Sequence, residues 1–154
     1  MRYWLLKSEP DVFSIDDLAA VPKQTTHWDG VRNYQVRNYM RDEMKPGDQA
    51  FFYYSSCAEP GIAGIVTINS AAYPDPTQFD HKHDHYDSAS SRDNPRWLMF
   101  DVKLQRKLKR VITLEELRRH EKKELKEMLI LKRGNRLSIT PVEASDWRFI
   151  ISLE

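Results

Sequence analysis

Residues 27–38 combine aromatic rings with side chains that hydrogen-bond flat, polar partners. The candidate contact residues of this segment are Trp28, Arg32, Asn33, Tyr34 and Gln35. Asparagine and glutamine amides donate and accept in one plane, and arginine presents a rigid fork of donors. Such a set suits a nucleobase held between an aromatic face and an amide edge. The same residues could instead be structural, with Asn33 capping a helix and Trp28 in the core.

Two further groups stand where predicted strands end. Lys7, Ser8 and Glu9 place a cation, a hydroxyl and a carboxylate after the first strand, and Tyr54 and Ser55 close a later, aromatic-rich strand. Strand ends often project side chains into pockets, so both groups are candidates for ligand contacts. The alternatives are a surface turn for the first group and simple packing for the tyrosine.

Arg136 and Ser138 open the last predicted strand, directly after Gly134 and Asn135. The Gly-Asn pair is typical of a tight turn. Arg136 could reach a phosphate or pair with a carboxylate such as that of Glu9. Both interpretations remain open at this point.

Three histidines, His81, His83 and His85, alternate within a polar loop and could in principle hold a transition metal. No apolar shell surrounds them in sequence, and no second set of residues is visible that would orient the ligands. The sequence therefore predicts no specific metal site and no cofactor. The single cysteine, Cys57, excludes an internal disulfide, and no signature of covalent catalysis accompanies it.

The chain has 154 residues, of which 40% are hydrophobic and 31% charged. This size and composition predict one domain over 1–154 with an ordinary core. The opening residues lack a secretory pattern, and no apolar stretch approaches the roughly 20 residues of a membrane span. We therefore expect a location in the cytoplasm, in a bacterium the cytosol or nucleoid, and no membrane partner.

The net charge is only +1, but it is unevenly distributed. Residues 103–136 carry thirteen Lys and Arg against five Asp and Glu, a formal charge of +8, and the other residues sum to −7. Such asymmetry often marks a surface that faces a polyanion. A solvated, lysine-rich helix face would give the same pattern.

The apolar pattern predicts strands and helices without regular βαβ alternation. Predicted strands cover 3–7, 49–55, 61–72, 97–108 and 137–142, and predicted helices cover about 14–20, 32–44, 114–120, 122–128 and the C-terminal end after 143. A loop is predicted up to Gly30, and a long polar loop over 73–95. This order favours an α+β domain with a compact mixed barrel or sheet flanked by helices.

With these residues in view, the chain resembles the EVE domain family, a PUA-like fold that includes the thymocyte nuclear protein group. The matching segments are residues 3–10, 28–38, 47–48, 52–53, 61–64, 73–75, 94–97 and 136–142. They follow one another in order over essentially the whole chain.

The resemblance implies a small mixed barrel with a deep pocket for a modified nucleobase, since family members are associated with modified cytosine in DNA. On this match Trp28 and residues 32–35 lie at the pocket or its mouth, residues 7–9 form part of its wall, and Ser55, Tyr73 and Asp75 lie nearby. One departure stands out, because the family often has histidine where this chain has Tyr54. A phenol there removes a titratable group and adds a larger stacking face.

These observations lead to a non-enzymatic module that binds DNA or RNA carrying a modified base, with no obligate protein partner. The alternative is an enzyme acting on a modified base or nucleotide, with Glu9 or Asp75 as general acid or base. A third possibility is a protein-interaction domain that uses the basic segment.

Overall fold

The computed structural model describes residues 1–154 as seven strands and four α-helices. The strands are β1 (Tyr3–Ser8), β2 (Thr25–Trp28), β3 (Gln49–Tyr54), β4 (Gly61–Ile68), β5 (Tyr73–Pro74), β6 (Leu98–Thr113) and β7 (Ile139–Val142). The helices are α1 (Ile15–Ala20), α2 (Tyr34–Asn38), α3 (Leu114–Arg118) and α4 (Ala144–Ser152). A π-helical turn over Tyr39–Glu43 continues α2, and short 3-10 turns cover Pro22–Gln24, Pro76–Phe79 and Leu129–Leu131. No helix has the length and apolar character that crossing a bilayer requires.

All seven strands belong to one mixed sheet. Its order is β2-β6-β4-β3-β1-β7, and β5 pairs with β6 outside this path. β1 runs parallel to β3 and antiparallel to β7, so the strand nearest the N-terminus lies between two strands that come later in the chain. The predicted α+β class with a mixed sheet is confirmed.

The sheet curls, so that β2 at its edge approaches β3, which is not its hydrogen-bonded neighbour. The indole of Trp28 on β2 meets the ring of Phe52 on β3 edge to face, with centroids 5.7 Å apart, although β6 and β4 separate the two strands in the sheet. Trp4 and Leu6 of β1 pack inside this curl, whereas Leu5 faces the layer under α3 and α4. Successive side chains of a strand point to opposite faces of the sheet, so neighbouring residues of β1 pack into two different cores.

Most predicted elements are present, with shifted ends. Ser14 and Asp17 cap α1 reciprocally, which agrees with a helix predicted over about 14–20. The loop predicted before Gly30 is wrong, because β2 occupies part of it. The helix predicted over 122–128 is also wrong, because this segment forms successive turns.

Candidate ligand-binding cavity

A cavity of about 650 Å³ opens between the end of β1 and strand β2. Its lining residues are Lys7, Ser8, Glu9, Val12, Phe13, Thr26, His27, Trp28, Asp29, Gly30 and His85. The cavity arises from the curl of the sheet, which brings β2 near the end of β1 although the two strands are not hydrogen-bonded neighbours. The volume lies within the range of about 300–1,000 Å³ that is usual for small-molecule sites.

Trp28 joins the core to the cavity. Its ring packs on Phe52 and against the inner hydrophobic cluster, while the half-buried side chain also lines the cavity. The register of β2 fixes this position, since Trp28 pairs with the fully buried Phe100 of β6. An indole held in this way presents a stable flat surface to a planar ligand.

The rest of the lining is mainly polar and carries both charges. Lys7, Glu9, His27 and Asp29 all contribute, and the Nε2 of His27 lies 4.0 Å from a carboxylate oxygen of Asp29. Burial lowers the pKa of Lys7, because its ammonium group has lost part of its hydration. The cavity therefore offers donors and acceptors beside an aromatic wall.

Asp75 supports the cavity from behind. Its side chain is 0% exposed and accepts hydrogen bonds from the Gly30 N–H at 2.8 Å, from Arg32 at 3.2 Å and from Thr77. Burial acts to raise the pKa of Asp75, but the hydrogen bonds from Thr77, Gly30 and Arg32 outweigh it and lower the pKa. This carboxylate holds the turn at Gly30 and is not part of the cavity lining.

His85 brings a distant loop into the wall. Its imidazole lies so close over Gly30 that a methyl group on the Gly30 Cα would be 2.6 Å from the His85 Cε1, and Gly30 itself has φ +79°. Only glycine fits here on both counts. The Nδ1 of His85 is buried and has no hydrogen-bond partner within the protein.

The structure brings Trp28, Lys7, Ser8 and Glu9 together at the cavity and leaves the other predicted contact residues outside its lining. Arg32 instead holds the loop that contains His85, because its guanidinium donates to the His85 carbonyl oxygen.

Three of the remaining predicted residues have local roles around α2. Asn33 caps α2 by accepting from the Val36 N–H, and Gln35 donates to the Tyr39 hydroxyl at 3.1 Å. Tyr34 is 49% exposed and packs on Trp97, with ring centroids 4.7 Å apart.

Tyr54 and Tyr73 each have a partner away from the cavity. The Tyr54 hydroxyl accepts from the Ile15 N–H at 3.0 Å, and this ring lines a smaller cavity of about 270 Å³ beside β6. The Tyr73 hydroxyl donates to Asp101 at 2.5 Å, and burial together with this hydrogen bond raises the pKa of Tyr73 to about 12.

The last three predicted residues lie near the end of β1 or further away. Ser55 donates its N–H to the Ser8 carbonyl at 3.0 Å, and the Ser138 carbonyl accepts from the Lys7 N–H at 2.9 Å, so both support the end of β1 through the backbone. Arg136 is exposed.

Sequence reasoning missed seven lining residues. They are Val12, Phe13, Thr26, His27, Asp29, Gly30 and His85. His27, Asp29 and Gly30 flank Trp28 directly and would have followed from recognising β2. His85 was considered only as a metal ligand, and the structure holds no group of three or more His, Cys, Asp or Glu placed to bind a metal ion.

The basic segment 103–136 is partly neutralised in the fold. Five of its cations form ion pairs, namely Arg106 with Glu154, Lys107 with Asp16, Arg110 with Glu116, Arg118 with Glu121 and Arg119 with Glu115. A phosphate would compete with these carboxylates for the same side chains.

Comparison with known proteins identifies the family. The family model described as "EVE domain" matches residues 2–153. The chain belongs to the EVE domain family. It is 51% identical to thymocyte nuclear protein 1 of Gallus gallus over 167 residues, covering 99% of this chain and 68% of that protein. The human protein of the same name is 49% identical, with 99% and 73% covered.

Solved structures of EVE domain relatives share the whole fold. The human THYN1 protein in complex with 5-methylcytosine-containing DNA superposes with a TM-score of 0.94 at 49% identity, over 99% of this chain and 97% of that one. A protein from Pseudomonas syringae gives a TM-score of 0.90 at 44% identity, with 98% of each chain covered. The PUA-like fold expected from the sequence is thereby confirmed.

Proposed function

We propose that this EVE domain is a non-enzymatic reader of a modified nucleobase, most directly a modified cytosine in DNA, flipped into the cavity between β1 and β2. The observation that carries the proposal is a cavity with an indole fixed in its wall and polar groups of both charges around it. The complex of the human relative with 5-methylcytosine-containing DNA supports the same ligand class.

The polar lining matches the edge of a cytosine. Carboxylates such as those of Glu9 and Asp29 can accept hydrogen bonds from the exocyclic amino group, whereas the Lys7 ammonium can donate to the ring carbonyl. Trp28 supplies the stacking surface. Thymine has a carbonyl oxygen in place of the amino group, so it would face these carboxylates with an acceptor and offer only its N3–H as a donor.

Energies of the expected size make base flipping feasible. Extruding a base costs on the order of a few kcal/mol. Stacking on an aromatic side chain contributes about 1–3 kcal/mol per base, and hydrogen bonds in the cavity add to it. An unmodified base would leave the space for the modification unfilled, which provides the discrimination.

A catalytic role for Asp75 or Glu9 is the alternative function. The structure gives it less support, because Asp75 is buried behind the cavity with its oxygens occupied and its pKa lowered. A general acid near neutral pH needs a raised pKa instead. Incubation with modified nucleosides and oligonucleotides, followed by mass spectrometry, tests for turnover, and any product would overturn the non-enzymatic assignment.

The polymer, the partners and the location are inferences of the same kind. A modified base in RNA presents an equally flat ring, so RNA is the second candidate polymer. We infer that no obligate protein partner is needed and that the protein acts in the cytoplasm. The curated relatives from vertebrates are named for the nucleus, so the location stays a prediction.

The decisive experiment measures the preference for modified over plain oligonucleotides by fluorescence anisotropy. Trp28→Ala should abolish the preference, because it removes the stacking wall. Trp28→Phe serves as the matched control, since it keeps a smaller ring and should retain part of the preference. An unchanged preference in Trp28→Ala, in a variant that melts cooperatively, would overturn the proposed site. Parallel DNA and RNA oligonucleotides identify the polymer.

A further inference from the structure

The cavity has an exposed aliphatic side chain at its edge. Val12 is 74% exposed, yet it belongs to the cavity lining together with Glu9 and Phe13. The other exposed large hydrophobic side chains are Met1, Tyr34 and Tyr86, and of these only Met1 is more exposed than Val12. A ligand that extends beyond the mouth of the cavity could cover this solvated valine.

The backbone holds Val12 in a fixed position. The Glu9 carbonyl accepts hydrogen bonds from the N–H groups of both Val12 and Phe13, at 2.9 and 2.8 Å, and Pro10 restricts the turn between them. The Ser8 hydroxyl donates to the Phe13 carbonyl at 2.6 Å, and the Phe13 ring packs near Phe52, with centroids 6.5 Å apart. The valine is therefore displayed on a turn that needs little ordering when a partner binds.

We propose that Val12 is a wedge that enters the duplex and fills the gap left in the base stack when the target base moves into the cavity. The inference rests on the proposed function and adds that the bound polymer is double-stranded. An extruded base exposes the faces of the neighbouring base pairs, and an apolar side chain placed there excludes water. Proteins that distort DNA insert aliphatic or aromatic side chains between base steps in this way.

The position of Val12 fits this role better than a role as an ordinary pocket wall. A wall residue is covered by its own protein neighbours, whereas this side chain protrudes from the edge of the cavity. A wedge must also lie within reach of the flipped base, and Val12 shares a lining with Trp28. Single strands have no stack to refill, so the contact contributes only on duplex substrate.

The test compares duplex and single-stranded DNA of one sequence, each with one 5-methylcytosine. We expect Val12→Ala to weaken duplex binding by about tenfold, as loss of part of a buried valine implies, and to leave single-strand binding within about twofold. Val12→Leu keeps an aliphatic wedge and should retain duplex binding. Melting curves of all variants check the fold.

Each outcome of this comparison is informative. Equal losses on both substrates would make Val12 part of the pocket wall, and unchanged binding to both would remove it from the interface; either result overturns the wedge. Wild-type binding to single strands alone would overturn the wedge and leave the proposed function intact. A wild-type protein that binds neither substrate would overturn the wedge together with the assignment of 5-methylcytosine in DNA as the ligand.

Discussion

The guanidinium of Arg32 donates two hydrogen bonds to the carbonyl oxygen of His85, at 3.0 Å from Nε and 2.7 Å from Nη2. The same side chain also reaches Asp75 and the Thr77 hydroxyl. Arg32 and His85 are 53 positions apart in sequence. Arg32, which its position beside Trp28 marked as a ligand contact, thus fixes the loop that closes one wall of the cavity.

Replacing Arg32 by lysine should loosen this wall. Lysine has no planar fork of donors, so it cannot bind the His85 carbonyl and Asp75 at the same time in the way that Arg32 does. We expect a loss of about 1–3 kcal/mol in the free energy of unfolding, measured by chemical denaturation, and weaker oligonucleotide binding. Arg41→Lys is the control, because Arg41 forms only an exposed pair with Asp42 and should leave stability nearly unchanged. Equal effects of the two substitutions would contradict this role of Arg32.

His85→Phe should separate stability from binding. Phenylalanine keeps a flat ring over Gly30 and removes the buried nitrogen that has no partner, so the melting temperature should stay the same or rise. If the imidazole hydrogen-bonds the ligand, affinity for the modified oligonucleotide should fall by about tenfold. Calorimetry and anisotropy on the same samples measure both quantities. A lower melting temperature with unchanged affinity would assign the ring a purely structural role.

Asp146→Asn should stabilise the protein at neutral pH. Asp146 is 4% exposed with one oxygen unpaired, and burial, followed by repulsion from Glu143 and Glu127, raises its pKa. A carboxyl whose pKa is higher in the folded state binds its proton more tightly there. Its contribution is therefore present at low pH and is lost as pH rises through the raised pKa.

Thermal melts across the acid range check this sign. The gain from Asp146→Asn should shrink as pH falls through the raised pKa of Asp146, and it should be gone below about 4, where the carboxyl is protonated in both the folded and the unfolded chain. Glu59→Gln removes a charge from an exposed loop position and should show no such trend. A gain that grows toward low pH would mean that the folded state prefers the ionised carboxylate.

The sequence predicts the sheet better than it predicts the site. A short apolar run identifies β1, aromatic content identifies β3, and the reciprocal cap at Ser14 fixes the start of α1. β2 is not predicted from the sequence, because its four residues are half-buried or exposed and show no apolar alternation. Leu125 and Met128 are both buried at a spacing of three, which imitates a helix in a segment that forms turns.

The site depends on contacts that local patterns do not encode. Lys7 could be identified because it lies at the end of a predicted strand, and Trp28 because it stands in a segment that combines aromatic rings with amide and guanidinium groups. His85 reaches the cavity only through Arg32 and Gly30, which lie more than fifty residues earlier. Residue type favoured Arg32 as a ligand contact, yet its donors are taken up by acceptors that come close only in the folded chain.

The strand that supplies Lys7, Ser8 and Glu9 pairs on one side with β3 and on the other with β7, which contains Ile139–Val142. β1 is synthesised well before β7, so one of its two edges stays uncovered until residues Ile139–Val142 have been made. A chain that lacks β7 can collapse around its aromatic core while this edge of β1 remains unpaired. Formation of this cavity wall thus depends on residues more than a hundred positions apart, because Leu6 of β1 pairs with Ile139 of β7.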